Sequence, residues 1–243
     1  MVDLALTSLI VQGETHWINN TVQNCHTSCN LLDAGTWQSS LEILTAWVEA
    51  NPYNVVTWLI VNSDFRPVTD YVSAIEKSGL RPYLYEPAYI PQKLDQWPSL
   101  GEMILNSKRV VMFMDYNANQ SAVPYILDEF THMFETPFSP TDRSFPCTLQ
   151  RPPGLEEKKA KKDFMYLANH NLNTGVNLKA LLGDSSGGNA DVVLIPNTAE
   201  INVTNGQYDK FGQLGEMSQS CTGAYPVRLS FEVIDVLIGV VYR

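Results

Sequence analysis

Several strand-length apolar runs in this 243-residue sequence end in side chains that can move protons or bind cations. Gln12 ends the run at 8–12 and Glu14 and His16 follow it, Asn62 and Asp64 follow 55–61, and Asp115 follows 110–114. Asn169 and His170 close the run at 165–168, and Asp235 lies within 229–236. In a barrel of parallel strands the reactive groups stand at the C-terminal strand ends, where the βα loops gather. Acids, amides and imidazoles in those places suit general acid and base work on a phosphate ester, or coordination of a hard cation by carboxylates. A nucleophilic-serine hydrolase is excluded, because there is no G-x-S-x-G elbow. Nucleotide cradles are excluded too: there is no P-loop, and Ser185-Ser186-Gly187-Gly188 precedes an apolar run instead of following one.

The four histidines have different surroundings. His132, in Asp128-Glu129-Phe130-Thr131-His132, is expected on a surface helix. His170, between Asn169 and Asn171, reads as a capped strand end or as a site residue, and His16 poses the same choice. His26 is enclosed by Cys25 and Cys29, so its turn is either purely structural or a rigid mount that aims an imidazole. Zinc does not fit Cys25-His26-x-x-Cys29, which lacks a second ligand pair at finger spacing.

Apolar runs of strand length alternate with segments of helical period, as parallel strands covered by helices require. Residues 8–12 read as a strand that leads into a polar loop ending at the Cys25 to Cys29 turn. Thr36 can cap a helix with Leu41, Leu44, Trp47 and Val48 on one face, and Asn51-Pro52 ends it. The runs at 55–61 and 110–114 are too continuously apolar to be half exposed, so both are expected as buried parallel strands. Helices are expected at 68–79, closed by Gly79, after a Ser99 cap, and at 123–133, with a short strand at 83–85. The Pro-rich segment 136–154 reads as an ordered loop anchored by Phe138, Phe145 and Cys147, and further strands are expected at 165–168, 192–195 and 229–236. No antiparallel hairpin, repeat or composition break is signalled, which makes 1–243 a single α/β domain.

With 26 acidic against 16 basic residues, the chain carries a formal charge of −10, and its field repels nucleic acid and anionic membranes. The basic run Lys158-Lys159-Ala160-Lys161-Lys162 follows two glutamates and reads as a solvated helix start. No stretch approaches the roughly 20 apolar residues of a membrane span. Met1-Val2-Asp3 lacks the basic n-region of a secretory signal. Sequons at Asn19, Asn119 and Asn202 and an even cysteine count point the other way, to an oxidising compartment. Four cysteines allow three pairings; Cys25 with Cys29 is the simplest, leaving Cys147 with Cys221, a long loop whose closure contributes about 4 kcal/mol.

Cys-His-Thr-Ser-Cys (25–29), Leu-Leu-Asp-Ala-Gly-Thr (31–36), Asn-Pro-Tyr-Asn-Val-Val-Thr (51–57), Val-Val-Met-Phe-Met-Asp-Tyr (110–116), Glu-Thr-Pro-Phe-Ser-Pro-Thr-Asp (135–142), Phe-Pro-Cys-Thr (145–148) and Ala-Asn-His-Asn-Leu-Asn (168–173) occur in one order. Together they resemble the secreted fungal phospholipase-C-like phosphodiesterases, relatives of the phosphatidylinositol-specific phospholipase C X domain. The resemblance implies a TIM-type (β/α) barrel, an extracellular location, and two histidines acting on a phosphodiester. One takes a proton from the attacking hydroxyl or water, and the other, which His26 resembles, gives one to the leaving oxygen.

The family's first histidine, at the end of its first strand, has no counterpart, and the chain is expected to start at the family's second strand, leaving a barrel that lacks its first. A basic residue expected within 9–12 is also missing. Asp235 stands where the family carries an acid. The implied substrate contacts are Gln12, Asn62, Asp115, Asn169 and His170, and Glu14 and Asp64, with Asp115, are the candidates for calcium, the alternative being no metal and an arginine, not located in the sequence, in its place. Two functions follow: a phosphoric diester hydrolase acting on a phospholipid or glycosylphosphatidylinositol-type head group, or a truncated or degenerate, non-catalytic binding module.

Overall fold

In the computed structural model the described residues are 8–25, 28–30, 33–177, 192–206, 210–224 and 230–234. His26, Ser185-Ser186-Gly187-Gly188 and Asp235 lie outside them. Two compact units emerge, residues 1–132 and 133–243.

The first unit is built on a sheet of six strands. Strand β1 (Ser8–Ile18) continues past residue 12, because Gln12, Glu14 and His16 alternate with Gly13, Thr15 and Trp17 and so suit a pleat with two different faces. The polar loop expected next is a correction: the chain folds back as β2 (Thr21–Cys25), antiparallel to β1, with Trp17 opposite Val22. The turn is Asn19-Asn20, with φ of 49° and 60°, the left-handed pair a tight hairpin needs and asparagine tolerates. A third antiparallel strand, β3 (Asp33–Thr36), lies beside β2.

Helix α1 (Trp37–Ala50) starts at Thr36, whose hydroxyl accepts the Ser39 N–H at 3.1 Å, and it buries Leu41, Leu44 and Val48. Strand β4 (Val55–Asn62) runs parallel to β1 in the register Thr15 to Asn62. A 3-10 turn at Val68–Tyr71 leads into α2 (Val72–Ser78), closed by Gly79 at φ 77°. The strand expected at 83–85 reduces to a single bridge, Leu84 to Val110, after a 3-10 turn. Helix α3 (Leu100–Leu105) has a capping box from Ser99 and Glu102, and β5 (Val110–Met114) pairs parallel with β4.

The helix expected at 123–133 is another correction. Pro124 removes an N–H there, Tyr125, Ile126 and Leu127 are contiguous and buried, and the chain forms β6 (Leu127–Asp128) parallel to β5 before a four-residue helix α4 (Glu129–His132).

The sheet has two faces. Val56, Trp58 and Ile60 of β4 with Val110, Met112 and Met114 of β5 pack beneath α1 and α2, where Trp37 meets Tyr71 edge-on at 5.2 Å. The opposite face carries Leu59, Phe113 and Leu127, all but inaccessible, and it is the face on which Gln12, Glu14 and His16 stand.

In the second unit, β7 (Met133–Glu135), β8 (Met165–His170) and β11 (Ser230–Ile234) form a parallel sheet with β8 in the middle, and β9 (Asn173–Asn177) and β10 (Val192–Pro196) form a separate hairpin. The run at 192–195 is thus a strand, as expected, and an antiparallel one, with Val192, Leu194 and Ile195 exposed. The loop at 136–154 is ordered: Phe145 is buried, Cys147 is bridged to Cys221, and Glu135 and Arg151 bridge, whereas Phe138, also expected as an anchor, is exposed. Helix α5 (Glu157–Asp163) takes up the lysine run, with Lys161 paired to Glu157 four residues earlier. The molecule is a mixed α/β protein rich in parallel strands, and among the described residues no sheet closes on itself.

Candidate functional site

Where β1 and β4 end, their parallel register brings three chemistry-bearing side chains together. Glu14 and His16 lie two residues apart on one face of β1, and Asp64 arrives just past the end of β4. His16 Nδ1 is 2.9 Å from Asp64 Oδ1, and His16 Nε2 is 3.3 Å from Glu14 Oε1. Asp64 Oδ2 accepts the Trp17 backbone N–H at 2.6 Å, and Glu14 Oε1 accepts the Ser63 hydroxyl at 2.8 Å. Partial burial acts to raise the Asp64 carboxyl, but the Trp17 N–H, the His16 ring and the Arg66 charge outweigh it and hold the group below its usual range. An imidazole with a carboxylate near each nitrogen can take up, hold and return a proton.

Beneath this group a buried polar network ties the strand ends. Thr15 Oγ1 lies 2.8 Å from Tyr71 OH, which donates to Asn62 Oδ1 at 3.0 Å, and Asn62 Oδ1 also accepts the Arg66 N–H at 2.9 Å. Asn62 Nδ2 donates to the carbonyls of Arg66 and Tyr116, and Asp115 Oδ1 accepts the N–H groups of Asn62 and Tyr116, each at 2.8 Å. Asn62 and Asp115, expected at the substrate, are therefore placed where they fasten the turns after β4 and β5. Gln12 sits half-buried two residues before Glu14 on the same face. Burial, with Asp115, Asp64 and Asp70 nearby, pushes the Tyr71 phenol up to about 12 although Thr15 opposes it.

In the second unit Asn169 donates to Glu135 Oε2 at 3.2 Å and to the Thr136 carbonyl at 3.0 Å, while Arg151 reaches Glu135 Oε2 at 3.1 Å. His170 is fully buried between Met217 Sδ at 3.0 Å and the Thr204 carbonyl at 2.8 Å, and burial lowers its pKa although the Thr204 carbonyl opposes this. His132 is not on the surface as expected. It is buried beside Trp97 and Phe113, its Nδ1 lies 2.8 Å from the Asp128 carbonyl, and its Nε2 accepts the Gln92 N–H at 3.4 Å.

Cys25–Cys29 and Cys147–Cys221 are both disulfides, the first bracketing His26, and no cysteine is free. Among the described residues no group of three or more His, Cys, Asp and Glu is arranged to hold a metal ion, and Glu14 and Asp64, the calcium candidates, flank His16 instead. No helix among them is long and apolar enough to cross a membrane. Tyr71 and the Glu135–Arg151 pair escape a sequence reading. Glu135 ends a strand of only three residues, and nothing near Tyr71 in the chain foretells its partners.

The PI-PLC X family model matches residues 3–238. A protein of Arthroderma benhamiae described as an uncharacterized secreted protein is 46% identical over 226 residues, 93% of this chain and 48% of that protein. A PI-PLC X domain-containing protein 1 of the same fungus is 42% identical over 170 residues, 68% of this chain and 54% of that protein. The chain thus spans about half the length of each of these relatives, and no solved structure matches it. Two disulfides fit an extracellular protein.

Proposed function

Because this chain belongs to the PI-PLC X family, we propose that it is an extracellular phosphoric diester hydrolase that cleaves a phospholipid or glycosylphosphatidylinositol-type head group by imidazole acid/base catalysis. The observation that carries this reading is the coincidence of family membership with an imidazole clasped by carboxylates at the C-terminal ends of parallel strands. His26, between its bridged cysteines, serves as proton donor to the leaving oxygen, with Asp235 as the acid expected near the site. The same reading takes 1–243 as one (β/α) barrel domain; the parallel strands β1, β4, β5 and β6 and, separately, β7, β8 and β11 are parts such a domain would use.

The test is release of phosphorylated head group from phosphatidylinositol, a glycosylphosphatidylinositol analogue and phosphatidylcholine by wild type and His26→Ala. Turnover of an inositol lipid that drops about 10²- to 10⁴-fold in the variant is expected. Saturable head-group binding without turnover by wild type would establish the non-catalytic binding module instead.

A further inference from the structure

We propose that Asn119 carries an N-linked glycan, and that its first N-acetylglucosamine lies against the exposed rings of Phe65 and Tyr116. Such a modification requires the extracellular location of the chain, which its two disulfides fit, and not the hydrolase reading.

Asn119-Gln120-Ser121 is a sequon whose three residues divide their roles. Gln120 is buried and its Oε1 accepts the Asp128 N–H at 3.2 Å, which pins the turn to β6, while Asn119 and Ser121 on either side are exposed. The Asn119 backbone carbonyl accepts the N–H groups of Ala122 and Val123 at 3.0 and 2.9 Å. Its Oδ1 accepts those of Ser121 and Ala122 at 3.1 and 3.3 Å. This Asx turn uses only the oxygen of the carboxamide. Nδ2 has no partner among the described residues, so exchanging one of its hydrogens for a sugar breaks no bond of the fold. In the sequon at Asn202, by contrast, Thr204 is buried and its hydroxyl donates to the Glu200 carbonyl at 3.1 Å.

Asn19 is exposed as well, at its hairpin turn, and what singles out Asn119 is the surface beside it. Phe65 is 60% and Tyr116 39% exposed, with ring centroids 5.1 Å apart. Asn117 Nδ2 donates to the Phe65 carbonyl at 2.5 Å, which fastens the turns after β4 and β5 together and keeps the rings paired. Tyr116 precedes Asn119 by three residues, at most about 11 Å of chain, within reach of a sugar on Nδ2. The C–H face of a pyranose is apolar and flat enough to cover an aromatic face, which removes from water two rings that the fold leaves uncovered.

In the attachment, Asn119 Nδ2 bonds to C1 of the first sugar of a polyprenyl-diphosphate-linked oligosaccharide, the donor class of the secretory route. The bond from C1 to the diphosphate oxygen breaks with its electron pair, and the proton lost from Nδ2 passes to solvent as the polyprenyl diphosphate departs. Attachment precedes folding, so the part played by the fold is to accommodate the modified residue.

The experiment secretes the chain from yeast behind a heterologous leader and maps its peptides after peptide N-glycosidase treatment in ¹⁸O-labelled water. Position 119 is expected as labelled aspartate in most molecules. For the packing, wild type and Ser121→Ala are both treated with endoglycosidase H, which leaves one N-acetylglucosamine at each occupied site, and are melted side by side. Ser121→Ala removes the sequon but keeps Asn119 and its backbone turn. Wild type should melt about 2 °C higher, the size of one sugar–ring contact in a chain of this length, and the gap should close when both carry Phe65→Ala. An unmodified Asn119 in the wild-type digest overturns the proposal, as does a gap that is absent or that persists undiminished with Phe65→Ala. The mapping needs only the wild-type chain, so a variant that fails to fold does not shield the proposal.

Discussion

Tyr71→Phe tests whether the buried network beneath His16 holds the two strand ends together. The phenol makes two bonds: its own hydrogen goes to Asn62 Oδ1, so the Thr15 hydroxyl is the donor in the other, and in the variant that hydroxyl turns to the Val61 carbonyl, 3.0 Å away, while Asn62 Oδ1 keeps the Arg66 N–H. Neither partner is orphaned, so the net loss is that of one ordinary hydrogen bond, about 1 kcal/mol, well short of the larger penalty for unsatisfied buried groups. All five tryptophans lie before residue 98, so fluorescence-detected urea unfolding reads the first unit.

The pH dependence supplies an independent check. The folded-state pKa of about 12 lies above the roughly 10 of an exposed phenol, so the stability held by neutral Tyr71 is complete below pH 10 and is lost as pH rises towards 12. Between pH 9 and 11 the advantage of wild type over Tyr71→Phe should shrink by about 1 kcal/mol. An advantage that is the same at both pH values, or negligible at neutral pH, refutes the network as described.

Two further outcomes follow from other features. Replacing Cys147 and Cys221 together by Ala should cost about 4 kcal/mol, against about 2 kcal/mol for Cys25 and Cys29, because the sequence separations are 74 and 4; circular-dichroism melts of the two double variants decide the order. Burial holds His132 below the ordinary histidine range, outweighing its contact with the Asp128 carbonyl, so an unfolded chain binds the extra proton first and stability falls as pH drops below about 6.5. His132→Gln should flatten that fall in tryptophan-detected unfolding between pH 7 and 5, and an unchanged slope would contradict it.

The parts legible in the sequence are those fixed by local pattern. The strands at 55–61 and 110–114 announce themselves by unbroken apolar runs, and α1 and α3 by the capping residues Thr36 and Ser99, the latter with Glu102 three positions on. The hairpin at Asn19-Asn20 has a local signal as well, two left-handed-tolerant residues between alternating segments, outweighed by the polar character of its flanks. Helical spacing misleads at 123–133, where neighbouring β5 recruits the apolar residues as a strand. The candidate site divides in the same way. Glu14 and His16 share a face by simple alternation, but Asp64 lies 48 residues from His16, and only the register of β1 on β4 joins them.

That register makes the candidate chemistry depend on counting. On β1 the imidazole points to one side of the pleat and the indole of Trp17 to the other, and every residue up to the Asn19-Asn20 turn inherits this parity. One residue inserted or removed between Ile10 and that turn would act like a frameshift within the strand, driving a polar imidazole under the helices and an indole into its place beside Asp64. Point changes along β1 leave the parity intact, so this stretch should tolerate altered letters far better than an altered number of them.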